Sequence, residues 1–156
     1  MMEKSQGGQA NRTGSVLESQ VQNIFSNYGF TAMAYADYKK GTPLLGDLLI
    51  KNYPYESIYG HSAKSEFLVV SASRNMRVRI ECKWQHRAGS VDEKFPYLML
   101  NCERVEEPLV IILIDGGGYK PGALEWIKNA ARNCKTKDIR VYSLGEFITW
   151  AHKALG

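Results

Sequence analysis

At 156 residues, with 44% hydrophobic and 23% charged residues and a formal net charge of +4, the chain is sized for one soluble globular domain with a real core. No long uninterrupted apolar run exists, and the opening "MMEKSQGGQANRTG" lacks the apolar centre of a signal peptide, so neither a membrane span nor a secretory leader is expected and the cytoplasm is the expected location. Cys82, Cys102 and Cys134 are odd in number and too far apart for a zinc motif, which points to reduced thiols.

In chain order, residues 1–14 are rich in Gly, Gln and Asn and read as a flexible arm ahead of a single domain over 15–156. A helix is predicted from Ser15 to Tyr28, with Leu17, Val21, Ile24, Phe25 and Tyr28 on one face, Ser15 and Glu18 at capping-box spacing, and Gly29 as its stop. "FTAMAYADY" (30–38) reads as a first strand and "KKGTPLLGD" as a turn-rich connection. The stretch "LLIKNYPYESIYGHSAK" reads as extended but irregular.

"SEFLVV" (65–70) and "RVRIECKW" (77–84) are predicted to form an antiparallel hairpin about "SASRNM". In "GSVDEK", Ser90 and Glu93 have capping-box spacing, and Pro96 is expected to break that helix after little more than one turn. "LVIILID" (109–115) is a continuous apolar run of the kind that forms a central strand covered on both faces. "GGG" turns the chain into a helix over 122–133. "IRVYSL" (139–144) gives another strand, and Ser143 with Glu146 opens a last helix. The order α-β-β-β-α-β-α-β-α implies an α/β fold, a mixed central sheet flanked by helices.

The hairpin carries the candidate chemistry. With its turn near Arg74, Glu66 falls opposite Glu81 or Cys82, and Lys83 shares the face of Glu81. Two repelling carboxylates and one amine around a point suit phosphodiester hydrolysis: the acids hold Mg²⁺, and the lysine steadies the attacking water or the phosphate charge. The tripeptide Glu81-Cys82-Lys83 alone equally fits a cross-turn ion pair. Asp47 in "GD" competes with Glu66 for the first acid but lies further from Glu81 than one hairpin spans. Glu18, three residues after Ser15, fits a helix cap. Gln85 follows Lys83 on the same strand face, within reach of a phosphate or a water, and Lys94 and Lys120 are candidate DNA-phosphate contacts. "GGGYK" has the wrong spacing for a phosphate loop and reads as a tight turn. Trp84, Trp126 and Trp150 read as packing residues, His61, His86 and His152 lack metal spacing, and the basic residues of 117–140 fit a solvated helix face as well as a nucleic-acid contact.

The arrangement of Glu66 and Glu81-Cys82-Lys83 between an opening and a later helix resembles the PD-(D/E)XK nuclease superfamily, the restriction-endonuclease-like fold with an αβββαβα-type core. More narrowly, "YGHSAKSEF", "IECKWQ", "GSVDEKFPYLMLN" and "IDGGGYKPGALEW" resemble such nuclease domains of bacteria and phages, over a match from about Gly14 to the C-terminus. The resemblance implies a Mg²⁺-dependent DNA endonuclease, with Mn²⁺ able to substitute. It implies Glu81 as the acid of the second motif, Lys83 as the catalytic lysine, the Cys82 backbone carbonyl as a metal ligand and Glu18 as an extra acid near the metal. Glu66 stands where relatives carry aspartate, one methylene longer. Pairing into a homodimer that cuts both strands of a duplex is a further expectation from the resemblance. A domain of this fold that binds DNA or protein without cutting is the competing reading.

Overall fold

The computed structural model describes residues 6–41 and 46–156. Its centre is a six-stranded mixed sheet, ordered β1 (Thr31–Ala34), β2 (Leu48–Glu56), β3 (Ser62–Ser71), β4 (Met76–Trp84), β5 (Leu109–Asp115), β6 (Asp138–Tyr142). β1 and β2 are parallel, β2 to β4 form an antiparallel meander, and β4, β5 and β6 run parallel. Helices α1 (Gln6–Asn27) and α5 (Leu144–Leu155) cover one face; α3 (Phe95–Arg104) and α4 (Pro121–Asn133) cover the other. A short α2 (Tyr35–Lys39) packs its tyrosines near β2. The expected α/β architecture is the one observed.

Helix α1 starts well before Ser15, which removes the cap expected of Ser15 and Glu18; both lie inside the helix. Residues 1–5 of the expected arm, and 42–45 of the expected turn-rich connection, lie outside the described residues. The apolar stripe behaves as read: Leu17, Val21 and Phe25 are fully buried. Gly29, at φ 86°, ends the helix as a Schellman motif, with Phe30 N–H donating to Phe25 O and Gly29 N–H to Ser26 O. Phe30 then packs edge-on against Phe25 at 5.1 Å, fixing where α1 crosses the sheet.

Three other expectations need correction. The strand expected over 30–38 stops at Ala34, and Tyr35–Lys39 turns helical. Ser90 and Glu93 form no capping box: a 3-10 turn over Asp92–Lys94 leads into α3, and Pro96 sits in the first turn of α3, where a missing N–H costs nothing, so the helix runs on to Arg104. Trp126 is exposed on α4, whereas Trp84 and Trp150 pack against the core. The last helix opens as read, with a complete Ser143–Glu146 capping box.

β5 is buried on both faces, as its sequence requires, and β4 beside it carries a charge inside. The Arg79 guanidinium meets Glu107 through two hydrogen bonds of 2.8 and 3.0 Å, with both side chains almost fully buried. The pair holds the Glu107 carboxyl below its usual range, because the bonds and charge of Arg79 outweigh the opposing effect of burial. Removing one partner strands a buried charge. Glu107→Ala is therefore expected to destabilise the chain by about 3–5 kcal/mol in urea unfolding. Asp138→Ala, which breaks the exposed Asp138–Arg140 pair, should cost less than about 1 kcal/mol.

Candidate active site

The β3–β4 ladder ends at Phe67↔Ile80. Beyond it β3 continues with β2 alone, to Glu56↔Ser62, and β4 with β5 alone, to Trp84↔Asp115. The sheet therefore forks, and Glu66 and Glu81 are the first residues past the split. The β2–β3 pairing skips Asn52 and Glu66, and Asn52 adopts a left-handed φ of 58°. This local break turns Ser65 inward, fully buried, and lets Glu66 lean into the gap.

The fork leaves the Cys82 N–H without a strand partner, and Glu66 Oε2 accepts from it at 2.9 Å. In an extended strand the N–H and C=O of one residue face the same neighbour, so the Cys82 carbonyl also faces the gap. Lys83 Nζ lies 3.6 Å from Glu66 Oε1 and 3.7 Å from Glu81 Oε2. Glu81 is almost completely buried, and its Oε1 accepts from Ser65 Oγ at 2.5 Å. Ser65 Oγ in turn accepts from Arg79 Nη1 at 3.1 Å. A polar chain thus runs from Glu107 through Arg79 and Ser65 to Glu81.

Two carboxylates and one ammonium leave an uncompensated negative charge. Burial first, and the charge of Glu66 second, push the Glu81 carboxyl up to about 8, against the pull of Lys83 and of the Ser65 bond. Burial alone would lower the Lys83 ammonium, but Glu66 and Glu81 outweigh it and hold it above the ordinary lysine range. The Cys82 thiol is driven well up by burial and then by the surrounding carboxylates, so it stays neutral and packs in the core. Glu18, released from any capping duty, is half-buried on α1. Its carboxyl is raised by burial and then by Glu66, with Lys83 and Lys51 pulling back, so it feels the same charges as the gap. Burial first, and the charge of Glu81 next, raise the Tyr55 hydroxyl to about 12.

Asp47 is elsewhere. It accepts from Ser71 Oγ at 2.6 Å and Arg74 Nη1 at 2.7 Å near the β3–β4 turn, and these bonds, that of Ser71 foremost, lower its carboxyl. It ties that turn to the end of α5, since Arg74 also donates to the Leu155 carbonyl. Gln85 is buried, its Nε2 donates to Gly118 O and its Oε1 accepts from Asp92 N–H, so its amide braces two loops. The glycine turn packs on that brace. A Cβ at Gly116 would lie 2.4 Å from Gln85 O and one at Gly118 2.5 Å from His86 C, so this turn admits only glycine. Lys120 N–H donates to Asp92 Oδ2, which sets the start of α4 beside that of α3 and leaves the Lys94 and Lys120 side chains exposed. Within the basic run 117–140, Lys137 is engaged by the Val105 and Glu107 carbonyls, Arg140 by Asp138 and Arg132 by Asn129.

Among the described residues no three or more His, Cys, Asp and Glu side chains gather as a metal cluster. The gap instead offers two carboxylates and a strand carbonyl. This hard-oxygen set suits Mg²⁺, which commonly takes one or two carboxylates and keeps several waters. Sequence reasoning missed Ser65 and Tyr55; the only sequence signal for either was a polar residue in an apolar strand.

A family model described as a PD-(D/E)XK nuclease superfamily domain matches residues 9–155. No curated protein and no solved structure matches the chain.

The raised Glu81 carboxyl has a stability signature. The folded chain keeps this proton to about pH 8, whereas the unfolded chain loses it near the ordinary 4.5. Between those values only the folded state holds the proton, so this group's contribution to stability falls as pH rises and levels off above the folded value. Glu81→Gln removes the slope. The variant should gain on the wild type between about pH 5 and about pH 8.5 in urea unfolding without divalent cations. A difference that does not change with pH would mean that Glu81 is unstrained.

Proposed function

Because the chain belongs to the PD-(D/E)XK nuclease superfamily, we propose that its fork site hydrolyses DNA phosphodiester bonds with a divalent cation, Mg²⁺ by preference and Mn²⁺ in its place. The family makes a nucleic acid the substrate. The finer reading is supported by one observation, the meeting of Glu66, Glu81 and Lys83 within 3.6–3.7 Å at the split of the sheet.

In this reading Glu66, Glu81 and the Cys82 carbonyl hold the cation, with Glu18 close enough in charge to support a second ion. The bound cation supplies Lewis-acid charge and lowers the pKa of water. Lys83, kept protonated by its two acids, donates to the attacking water or to the phosphate oxygens and offsets charge as it develops. Ser65 and Arg79 hold Glu81 in one orientation. Lys94 and Lys120, at the starts of α3 and α4, touch phosphates flanking the cut. Residues 15–156 act as one domain, and two copies about a twofold axis would bring one site to each strand of a duplex. The three free cysteines fit the reducing cytoplasm.

Nicking of supercoiled plasmid tests the reading. The wild type should nick with Mg²⁺ or Mn²⁺ and stop with chelator. Lys83→Ala, Glu81→Ala and Glu66→Ala should each lower the rate about 10²-fold or more, while Glu66→Asp, a methylene shorter, should cut faster than Glu66→Ala but more slowly than the wild type. DNA that is bound and never cut under any divalent ion would make this a binding module. Cleavage of labelled RNA in preference to DNA would reassign the substrate.

A further inference from the structure

The β2–β3 hairpin tip carries a feature that the hydrolytic site does not use. Tyr59 is 68% exposed, yet its ring lies on that of Tyr97 from α3, with centroids 5.3 Å apart and planes inclined by 25°. His61 stands 6.2 Å from Tyr59 on the same tip. The backbone beneath is rigid. Ser57, fully buried, accepts through Oγ from the N–H groups of Tyr59 and His61, and its own N–H donates to His61 O. Asn101 of α3, also buried, accepts from Ile58 N–H at 2.9 Å.

The tip is therefore already fixed to α3 without Tyr59. A ring meant only to lock the hairpin would be covered, and this one leaves most of its surface to solvent. The tip joins β2 and β3, and β3 carries Glu66 at the fork. Tyr55, on the strand leading to the tip, feels the charges of Glu81 and Lys83 and also Tyr97. Along β3 the tip begins four residues from Glu66, about 13 Å at strand rise, or roughly four stacked nucleotide steps.

We propose that the Tyr59–Tyr97 stack is a platform for an unpaired base of the DNA strand, so that the substrate has single-stranded character a few nucleotides from the scissile phosphate. A pre-stacked tyrosine pair on a rigid turn loses little freedom when a base lands on it, and every base presents a π face. This choice of substrate rests on the fork being a DNA-cutting site.

The test uses the full chain in chelator, so that nothing is cut, and single-stranded oligonucleotides with 2-aminopurine placed in turn along the strand. The wild type should quench the fluorescence most strongly at one position. Tyr59→Leu and Tyr59→Ala should lose that quench and bind about tenfold more weakly. Tyr59→Phe should keep both, as should Trp126→Ala, which removes an exposed ring on α4. Tyr59 is too exposed for its loss to unfold the chain, and circular dichroism checks this. Unchanged quench and affinity in Tyr59→Leu overturn the platform, as does a change in sedimentation alone, which would make the patch a protein contact. Plasmid nicking run in parallel separates the two readings: a wild type that cuts while Tyr59→Leu behaves as wild type sinks only the platform. A wild type that never cuts but shows the Tyr59-dependent quench sinks only the hydrolytic site.

Discussion

Two carboxylates and one ammonium, held where a sheet splits, do not add up to zero, and that imbalance organises this molecule. Lys83 sits nearly equidistant from Glu66 and Glu81, so it can offset only one of them. In water the surplus charge would cost little. With Glu81 almost fully buried, it must be relieved by a proton or by a cation. The gap is therefore a proton site, and the proposed cation would relieve the same charge through the same residues.

Such a charge needs surroundings that cannot relax around it. On one side Arg79 is fixed by two bonds to Glu107 and passes a third to Ser65, which fixes Glu81. On the other, Gln85 clamps the glycine turn and the start of the 3-10 turn, so the strand carrying Glu81 and Lys83 cannot shift at its far end. Neither support touches the gap with a free charge of its own. The cost of burying the Arg79–Glu107 pair is offset by bonds made inside the fold, and the pair gives the site a stiff wall.

What the sequence made legible follows from how local each feature is. The β3–β4 hairpin, the buried β5 and the Ser143–Glu146 cap depend on neighbours a few residues away, and they were readable. The convergence of Glu66, Glu81 and Lys83 followed from hairpin register. The position of Glu18 was obscured because a serine at capping distance looks the same inside a helix as at its start, and only the full length of α1 distinguishes them. Pro96 reads as a breaker until the preceding turn is known to place it at N-terminal positions. The loop contacts of Gln85 were not readable, because alternation gives only its face and the glycine turn that occupies its amide comes from a distant loop. Ser65 was invisible, since strict alternation from Phe67 points it away from Glu81 and only the break at Asn52 and Glu66 turns it back.

The glutamate at position 66 gains a physical account from the same break. One carboxylate oxygen of Glu66 must reach across the fork to the Cys82 N–H, which would otherwise be a buried donor with no partner. The other oxygen remains near Lys83 and faces the gap. The extra methylene spans a distance that the parting of the strands has created, so the longer side chain fits this fork. Position 81 gives the complementary argument. Nothing in the packing there requires a carboxylate, because a neutral glutamine fills the same volume and could still accept from Ser65. A carboxyl kept where its ionisation strains the fold is best explained by chemistry that uses it, which favours a hydrolytic site over a surface that only binds.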